Sequence, residues 1–353
     1  MSQDIRDFVT PSCDLLALGE PTHMEPAFPR IRNELFAQLV DHGFRSIALE
    51  TDRVPALALN DHVREGTGDF DTVMSEGIAH GRGELAPNRQ LITWMREYNR
   101  DRPAEERLSF HGFDAEMENM SAPSPRRYLE HARAYLGNEG SLALSAVSAA
   151  SVVDIASLAG DDERWSRTEA VLDPAMSIGA TAEAETLRSL ADDMLTEFHA
   201  RAPELIAATS RAEWFRARAH LTAGLGLLRY HRQLAQPIEE SVRISRLLAT
   251  RDALMVQNLL DIRDIEAGRG PTLVFGHNLH LQRNLSHMRM RDLDLNWYGA
   301  GAILGPLVGE RYAFIAGSLG REGAVQGPTT TWALAQAPEP TSADGFLHLN
   351  AVD

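Results

Sequence analysis

Four short strand-like runs mark this chain: Leu15 to Leu18, Ser46 to Leu49 and Thr272 to Phe275 show no polar alternation, and Leu108-Ser109-Phe110 is a shorter one. Such a run reads as a short strand buried on both faces. Between the first two, Phe28, Ile31, Leu35, Phe36, Leu39 and Val40 recur at helical spacing, and His42-Gly43 closes the segment. Strand, helix and strand in that order make a βαβ unit, whose two strands are expected to be parallel neighbours. The fold class that follows is α/β, with a mostly parallel sheet flanked by helices.

Further along, residues 52–66 and 88–100 carry helical patterns, while Gly66 to Pro87, rich in glycine and acidic residues, reads as a loop able to line a pocket. From Ser124 to about Ala249 strand-like runs vanish, and segments near 125–136, 180–200, 211–235 and 239–267 have helical periodicity. This stretch is expected to be an all-helical insertion or lid. The expected organisation is therefore an α/β core from residues 1–120 and 250–335, the insertion at 121–249, and a C-terminal tail at 336–353, with the stretch from Pro328 to Asp353 expected to be loosely packed. Ala300 to Leu304 and Tyr312 to Ser318 are expected as further strands.

Several function classes are excluded before any site is named. The formal net charge of -16 argues against nucleic acid or an anionic membrane as a partner, since both call for basic patches. All 34 basic residues counted under Lys+Arg are arginines. Without a lysine there is neither a P-loop nor a pyridoxal-phosphate Schiff base. Cys13 is the only cysteine, which removes an internal disulfide and any cysteine-built metal site. No segment has the apolar length of a transmembrane helix and Met1 to Thr10 lacks a signal-peptide core, so the expected location is the cytoplasm.

Each apolar run ends in ionisable residues: Glu20 and His23, Glu50, His111 and Asp114, then His277 and His280. Ligands of open α/β sheets bind outside the carboxyl ends of the strands, so the four ends are expected to converge on one site. There is no Gly-x-Ser-x-Gly elbow, and Cys13 has no recognisable nucleophile frame. Two carboxylates and several imidazoles remain. A histidine held by a glutamate can deprotonate water, and a second histidine or an arginine can stabilise the resulting oxyanion. The same residues, Glu20, His23, Glu50, His277 and His280, could instead hold a divalent metal that generates the hydroxide. Both routes stay open at this level.

Gly19-Glu20-Pro21-Thr22-His23, Phe28 and Arg32, Gly43-Phe44 leading to Glu50, and Trp94-Met95-Arg96-Glu97-Tyr98-Asn99 resemble the erythromycin esterase family. So do Gly112-Phe113-Asp114, Arg251-Asp252 with Met255 and Asn258, Gly276-His277-Asn278-Leu279-His280, and Gly309-Glu310-Arg311-Tyr312. The chain departs from the family pattern at Met24 and Ala27, where glycine and glutamate are usual. The resemblance implies a hydrolase of the carboxylic ester class opening a macrolactone by water attack, with His23 as general base oriented by Glu20. Glu50, His277 and His280 then complete the catalytic pocket. Arg32, Arg96, Asp114 and Arg251 are the implied substrate contacts. The partner is a small-molecule ester, lactone or natural-product intermediate, in resistance or biosynthesis, and no cofactor is required unless a divalent metal takes part. Two alternatives stand beside it: a biosynthetic cyclisation, elimination or acyl transfer on the same site, and a non-catalytic ligand or haem binder with His277 or His280 as axial ligand.

Overall fold

A computed structural model of the chain describes residues 3–23, 25–117, 121–137, 154–320, 330–337 and 342–351. The chain folds as two compact units, one made of Met1–Asp114 with Asp252–Asp353 and the other of Ala115–Arg251.

The first unit begins with β1 (Leu15–Glu20), α1 (Ala27–Val40), β2 (Ser46–Asp52), α2 (Pro55–Glu65), α3 (Phe70–Gly77), α4 (Ala86–Asn99) and β3 (Ser109–Asp114). The second unit holds α5 (Arg126–Leu136), α6 (Ile155–Ala159), α7 (Glu169–Leu172), α8 (Ala182–Ala200), α9 (Ala202–Ala208) and α10 (Arg211–Leu234). Helix α11 (Glu240–Glu266) contains the boundary between the units. The first unit resumes with β4 (Thr272–His277), α12 (Asn278–Leu281), β5 (Leu285–Met290), β6 (Leu293–Tyr298), α13 (Ala300–Val308), β7 (Tyr312–Leu319), β8 (Thr330–Gln336) and β9 (Gly345–Ala351).

The main sheet has seven strands in the order β3-β2-β4-β1-β7-β9-β8. All neighbours in it are parallel except β8, which pairs antiparallel with β9 at the edge. Successive residues of a strand point to opposite faces, and this sheet is apolar on both. Leu16, Leu18, Ile47, Leu49, Leu273 and Phe275 join Phe28, Phe36 and Leu39 of α1 in one core. Leu15, Ala17, Ala48 and Val274 join Met255, Leu259 and Ile262 of α11 in a second. The lack of alternation in runs 15–18, 46–49 and 272–275 is thus the mark of strands covered by helices on each side. In the second unit Leu187, Met194 and Phe198 of α8 pack with Leu129 of α5 and with Trp214, Leu221 and Leu225 of α10. Among the described residues no helix is long and apolar enough to cross a membrane.

The structure corrects the expected elements at several points. Strands β1 and β2 are parallel but not adjacent, because β4 lies between them and pairs with both. Gly66 to Pro87 is largely ordered into α3, which Asp69 caps by accepting the Thr72 N–H, and a short 3-10 turn at Arg82–Glu84. Ala300 to Leu304 is the start of helix α13, not a strand. A short apolar run cannot by itself tell a buried strand from a buried helix, and here Gly299 opens a helix packed on the sheet face through Ala300 and Leu304. The tail expected at 336–353 is no loose appendage. It contributes β9, paired with β7 and β8, and buries Leu347 and Leu349 in the core.

Candidate active site

The register of the three central strands assembles the site. Glu20 ends β1 opposite His277 at the end of β4, and Leu49 of β2 pairs with Phe275 of β4. Glu20, Glu50 and His277 therefore leave the sheet side by side at its carboxyl edge, where ligand crevices of such sheets lie. Gly276 leaves room for them, since a Cβ on it would stand 2.9 Å from Glu50 Oε2 and 3.0 Å from Phe113.

The pocket at this edge is lined by Glu20, His23, Arg32, Glu50, Ile78, Arg82, Leu85, Asn88, Phe275 and Gly276, among others. His23 is its centre. The Nδ1 of His23 is 2.7 Å from Glu20 Oε1, and its Nε2 is 3.4 Å from Glu50 Oε1. A carboxylate oxygen only accepts, so Nδ1 carries the proton donated to Glu20. Burial alone would lower the imidazole pKa, but the hydrogen bonds to Glu20 and Glu50 prevail and raise it to about 9. The second oxygen of Glu20, Oε2, is buried without a hydrogen-bond partner.

Glu50 is the hub of the site. Its Oε2 accepts the His277 backbone N–H at 2.6 Å, while Oε1 faces both His23 and, at 3.8 Å, His280 Nε2. His280 is anchored from behind: its Nδ1 donates to Asp252 at 2.9 and 3.0 Å. Asp252, fully buried, also accepts Trp297 Nε1–H at 2.7 Å and the Ala300 N–H at 2.8 Å. Asp252 thus fixes the ring so that the other nitrogen meets Glu50, as second-sphere carboxylates commonly do for histidine.

His277 is placed differently from the role foreseen for it. Its Nε2 donates to the Pro21 carbonyl at 3.0 Å and its Nδ1 accepts the Leu279 N–H at 3.1 Å, capping α12. Both ring nitrogens are spent within the protein, and burial keeps the ring neutral by lowering its pKa. It positions its neighbours, with the His23 and His277 ring centroids 5.3 Å apart, and offers neither nitrogen to a haem iron. Among the described residues no three His, Cys, Asp or Glu side chains are grouped to hold one metal ion.

Of the foreseen substrate contacts, the structure brings only Arg32 to the pocket. Arg96 packs instead against the carboxyl end of α2, where its Nη1 donates to the Arg64 carbonyl. Asp114 is buried at the end of β3, its carbonyl taking the Arg53 N–H and Asn258 Nδ2. Arg251 belongs to the second unit, where its charge acts on Tyr230. His111 is not at the strand end but inside β3, in a buried hydrogen bond of 2.7 Å to Glu266. Three participants escaped the sequence: Arg82, Asn88 and Asp252. Arg82 Nη1 lies 3.2 Å from His23 Nδ1 and its Nη2 donates to the Glu50 carbonyl. Asn88 joins the two pocket arginines, accepting from Arg32 at 3.0 Å and donating to the Arg82 carbonyl at 2.9 Å. Only Asp252 carried a signal, as the residue beside Arg251 in a quoted motif.

The comparisons with known proteins are consistent with this architecture. The sequence model of the family described as Erythromycin esterase matches residues 39–350, a span that begins after Glu20 and His23. No curated protein matches the chain significantly in sequence. A Bacillus cereus protein of known structure is 17% identical, covering 97% of this chain and 89% of that one with a TM-score of 0.66. A succinoglycan biosynthesis protein is 16% identical over 89% of this chain and 68% of its own, with a TM-score of 0.60. A mutant of erythromycin esterase EreC in its open conformation is 18% identical over 99% of this chain and 78% of its own, with a TM-score of 0.61. At these identities the structural likeness is one of fold.

Proposed function

The chain belongs to the erythromycin esterase family, and on that premise we propose that it is an esterase-like hydrolase that opens a carboxylic ester or macrolactone with water activated by His23. The observation that carries this reading is the Glu20–His23 pair, with Nδ1 tied to Glu20 at 2.7 Å and Nε2 directed at Glu50 in the pocket. Once the imidazolium has lost its Nε2 proton, that nitrogen takes a proton from water as the water oxygen adds to the ester carbonyl. The carbonyl π pair moves onto oxygen, then returns as the bond to the alkoxide breaks, and the imidazolium hands its proton to that alkoxide. Neither a serine ester nor a cofactor enters the sequence of steps.

With a pKa of about 9 the ring is cationic at rest near neutrality, and only about a hundredth of it is the free base at pH 7. A base of that pKa is correspondingly stronger when free, which offsets part of the loss. The same cationic resting state favours a second reading, in which His23 first donates a proton and the pocket serves an elimination or cyclisation on a natural-product intermediate. Product mass separates the two, because hydrolysis adds one water and the alternatives do not. On a panel of esters and macrolactones, His23→Ala is expected to abolish turnover while leaving the far-ultraviolet circular dichroism spectrum unchanged. Full activity in that variant would remove His23 from the mechanism.

A further inference from the structure

Two arginines line the pocket, and they are held in opposite ways. Arg32, foreseen as a substrate contact, is fully buried and committed to the protein. Its Nε and Nη2 donate to Asn33 Oδ1 at 3.1 and 2.7 Å, its Nη1 donates to Asn88, and its guanidinium packs over Phe275 at 4.9 Å. Arg82 is only partly buried, and its Nη1 rests 3.2 Å from His23 Nδ1. That nitrogen already gives its proton to Glu20 at 2.7 Å. Nη1 therefore sets a charged donor against a donor, an arrangement in which its N–H is left to find an oxygen.

The backbone is shaped to deliver this group. His80 and Gly81 take positive φ angles of 59° and 68° in succession, just ahead of the 3-10 turn that begins at Arg82. Left-handed residues in sequence are costly for a histidine and concentrate where a side chain must be aimed. The Arg82 carbonyl is then pinned by Asn88, which Arg32 holds in turn. Arg32 is the scaffold and Arg82 the group it presents.

We propose that Arg82 is a further catalytic residue, its Nη1 N–H receiving the substrate carbonyl oxygen as that oxygen becomes anionic. The inference rests on the acyl-hydrolysis reading given above. The guanidinium forms and breaks no covalent bond. It holds the negative charge from the moment the hydroxide oxygen bonds to carbon until the alkoxide leaves with the His23 proton. The cation lies on the Nδ1 side of the ring whose Nε2 is the base, and the charge it would receive develops on the carbonyl oxygen, two bonds from the water oxygen that the base activates.

The test uses the full chain, 4-nitrophenyl acetate as the probe ester and methylphosphonate as a stable tetrahedral anion. Arg82→Gln is expected to lower kcat by about 10²- to 10³-fold, the loss typical of an oxyanion donor, while KM stays within about threefold. Arg82→Lys should fall between the two, and guanidinium added to Arg82→Ala should restore part of the lost rate, which a purely structural role would not allow. Methylphosphonate should bind Arg82→Gln at least about tenfold more weakly than the unaltered chain. Unchanged kcat, or equal methylphosphonate affinity, in a folded Arg82→Gln or Arg82→Lys protein would overturn the proposal. If the unaltered chain cleaves no ester, it is the hydrolase reading that fails, and the methylphosphonate comparison still decides whether Arg82 receives an anion.

Discussion

His23 holds a proton between two carboxylates, and that fact governs how the site should respond to pH. Burial opposes the charge and the bonds to Glu20 and Glu50 favour it, with a net rise to about 9 from an ordinary value of 6.5. If His23 acts as base, kcat/KM is expected to climb about tenfold per pH unit from pH 7 and level off near 9. A profile that instead falls above 9 would assign it the donor role. The same shift bears on stability with a definite sign. The folded pKa lies above the unfolded one, so the stabilisation is complete below about 6.5 and lost by about 9. Denaturant midpoints between pH 6 and 10 should therefore decline in the unaltered chain and decline less in Glu20→Gln, where the strongest partner of the cation is gone. Glu20, His23, Glu50 and His280 were legible because each lies within five residues of the end of an apolar run, and the carboxyl ends of parallel strands are where ligand crevices form. Arg82 and Asn88 were not, since a turn and a helix supply them and neither carries a local pattern that points to chemistry.

The elements that carry these residues are tied together by side chains whose role is structural though their neighbours are chemical. Asn278, inside the His-Asn-x-His segment, donates from Nδ2 to the Gly317 carbonyl at 2.8 Å and accepts the Gly317 N–H at 3.0 Å. It thereby locks α12 to β7 and turns His280 toward Glu50. The three-residue spacing of His277 and His280 implied convergence only if the chain turned helical after Asn278, and α12 begins there. Asp252 does more, for it accepts from α12, β6 and the first residue of α13 at once. Asp252→Ala would leave those donors buried and unpaired at about 1–3 kcal/mol each. A thermal unfolding scan should show a loss of at least several degrees, and kcat should fall as His280 loses its orientation. Asp252→Asn, which keeps the shape, should recover much of the stability and less of the rate. The hairpin of β5 and β6 was missed because its polar outer face reads as loop. Helix α13 was mistaken because a run as short as Ala300 to Leu304 has no period to measure.

At the scale of the whole molecule, the parallel α/β class could be read from four runs, but the neighbours within the sheet could not. Strand β4 inserts between β1 and β2 from more than two hundred residues away, and no local signal announces such a pairing. The C-terminal strands were hidden for a related reason. Proline and threonine around residues 328–345 suggest a loose tail, whereas the burial that decides the matter lies in Leu334, Leu347 and Leu349, packed into the core that holds Leu16 and Phe28. Burying a leucine is worth about 1.5–3 kcal/mol, so these three alone contribute an amount comparable to the net stability of an ordinary domain, about 5–15 kcal/mol. A chain ending at Gly320 would also leave β7 as a bare edge with its partner β9 gone, an invitation to pair with other copies. It is expected to collect in the insoluble fraction or to lose its cooperative unfolding transition altogether. A loose tail makes the opposite forecast, a soluble protein melting within about two degrees of the full chain. Sedimentation and calorimetry on the two chains of different length would separate these outcomes, and with them whether the carboxyl edge of β1 depends on the strands that come last in the chain.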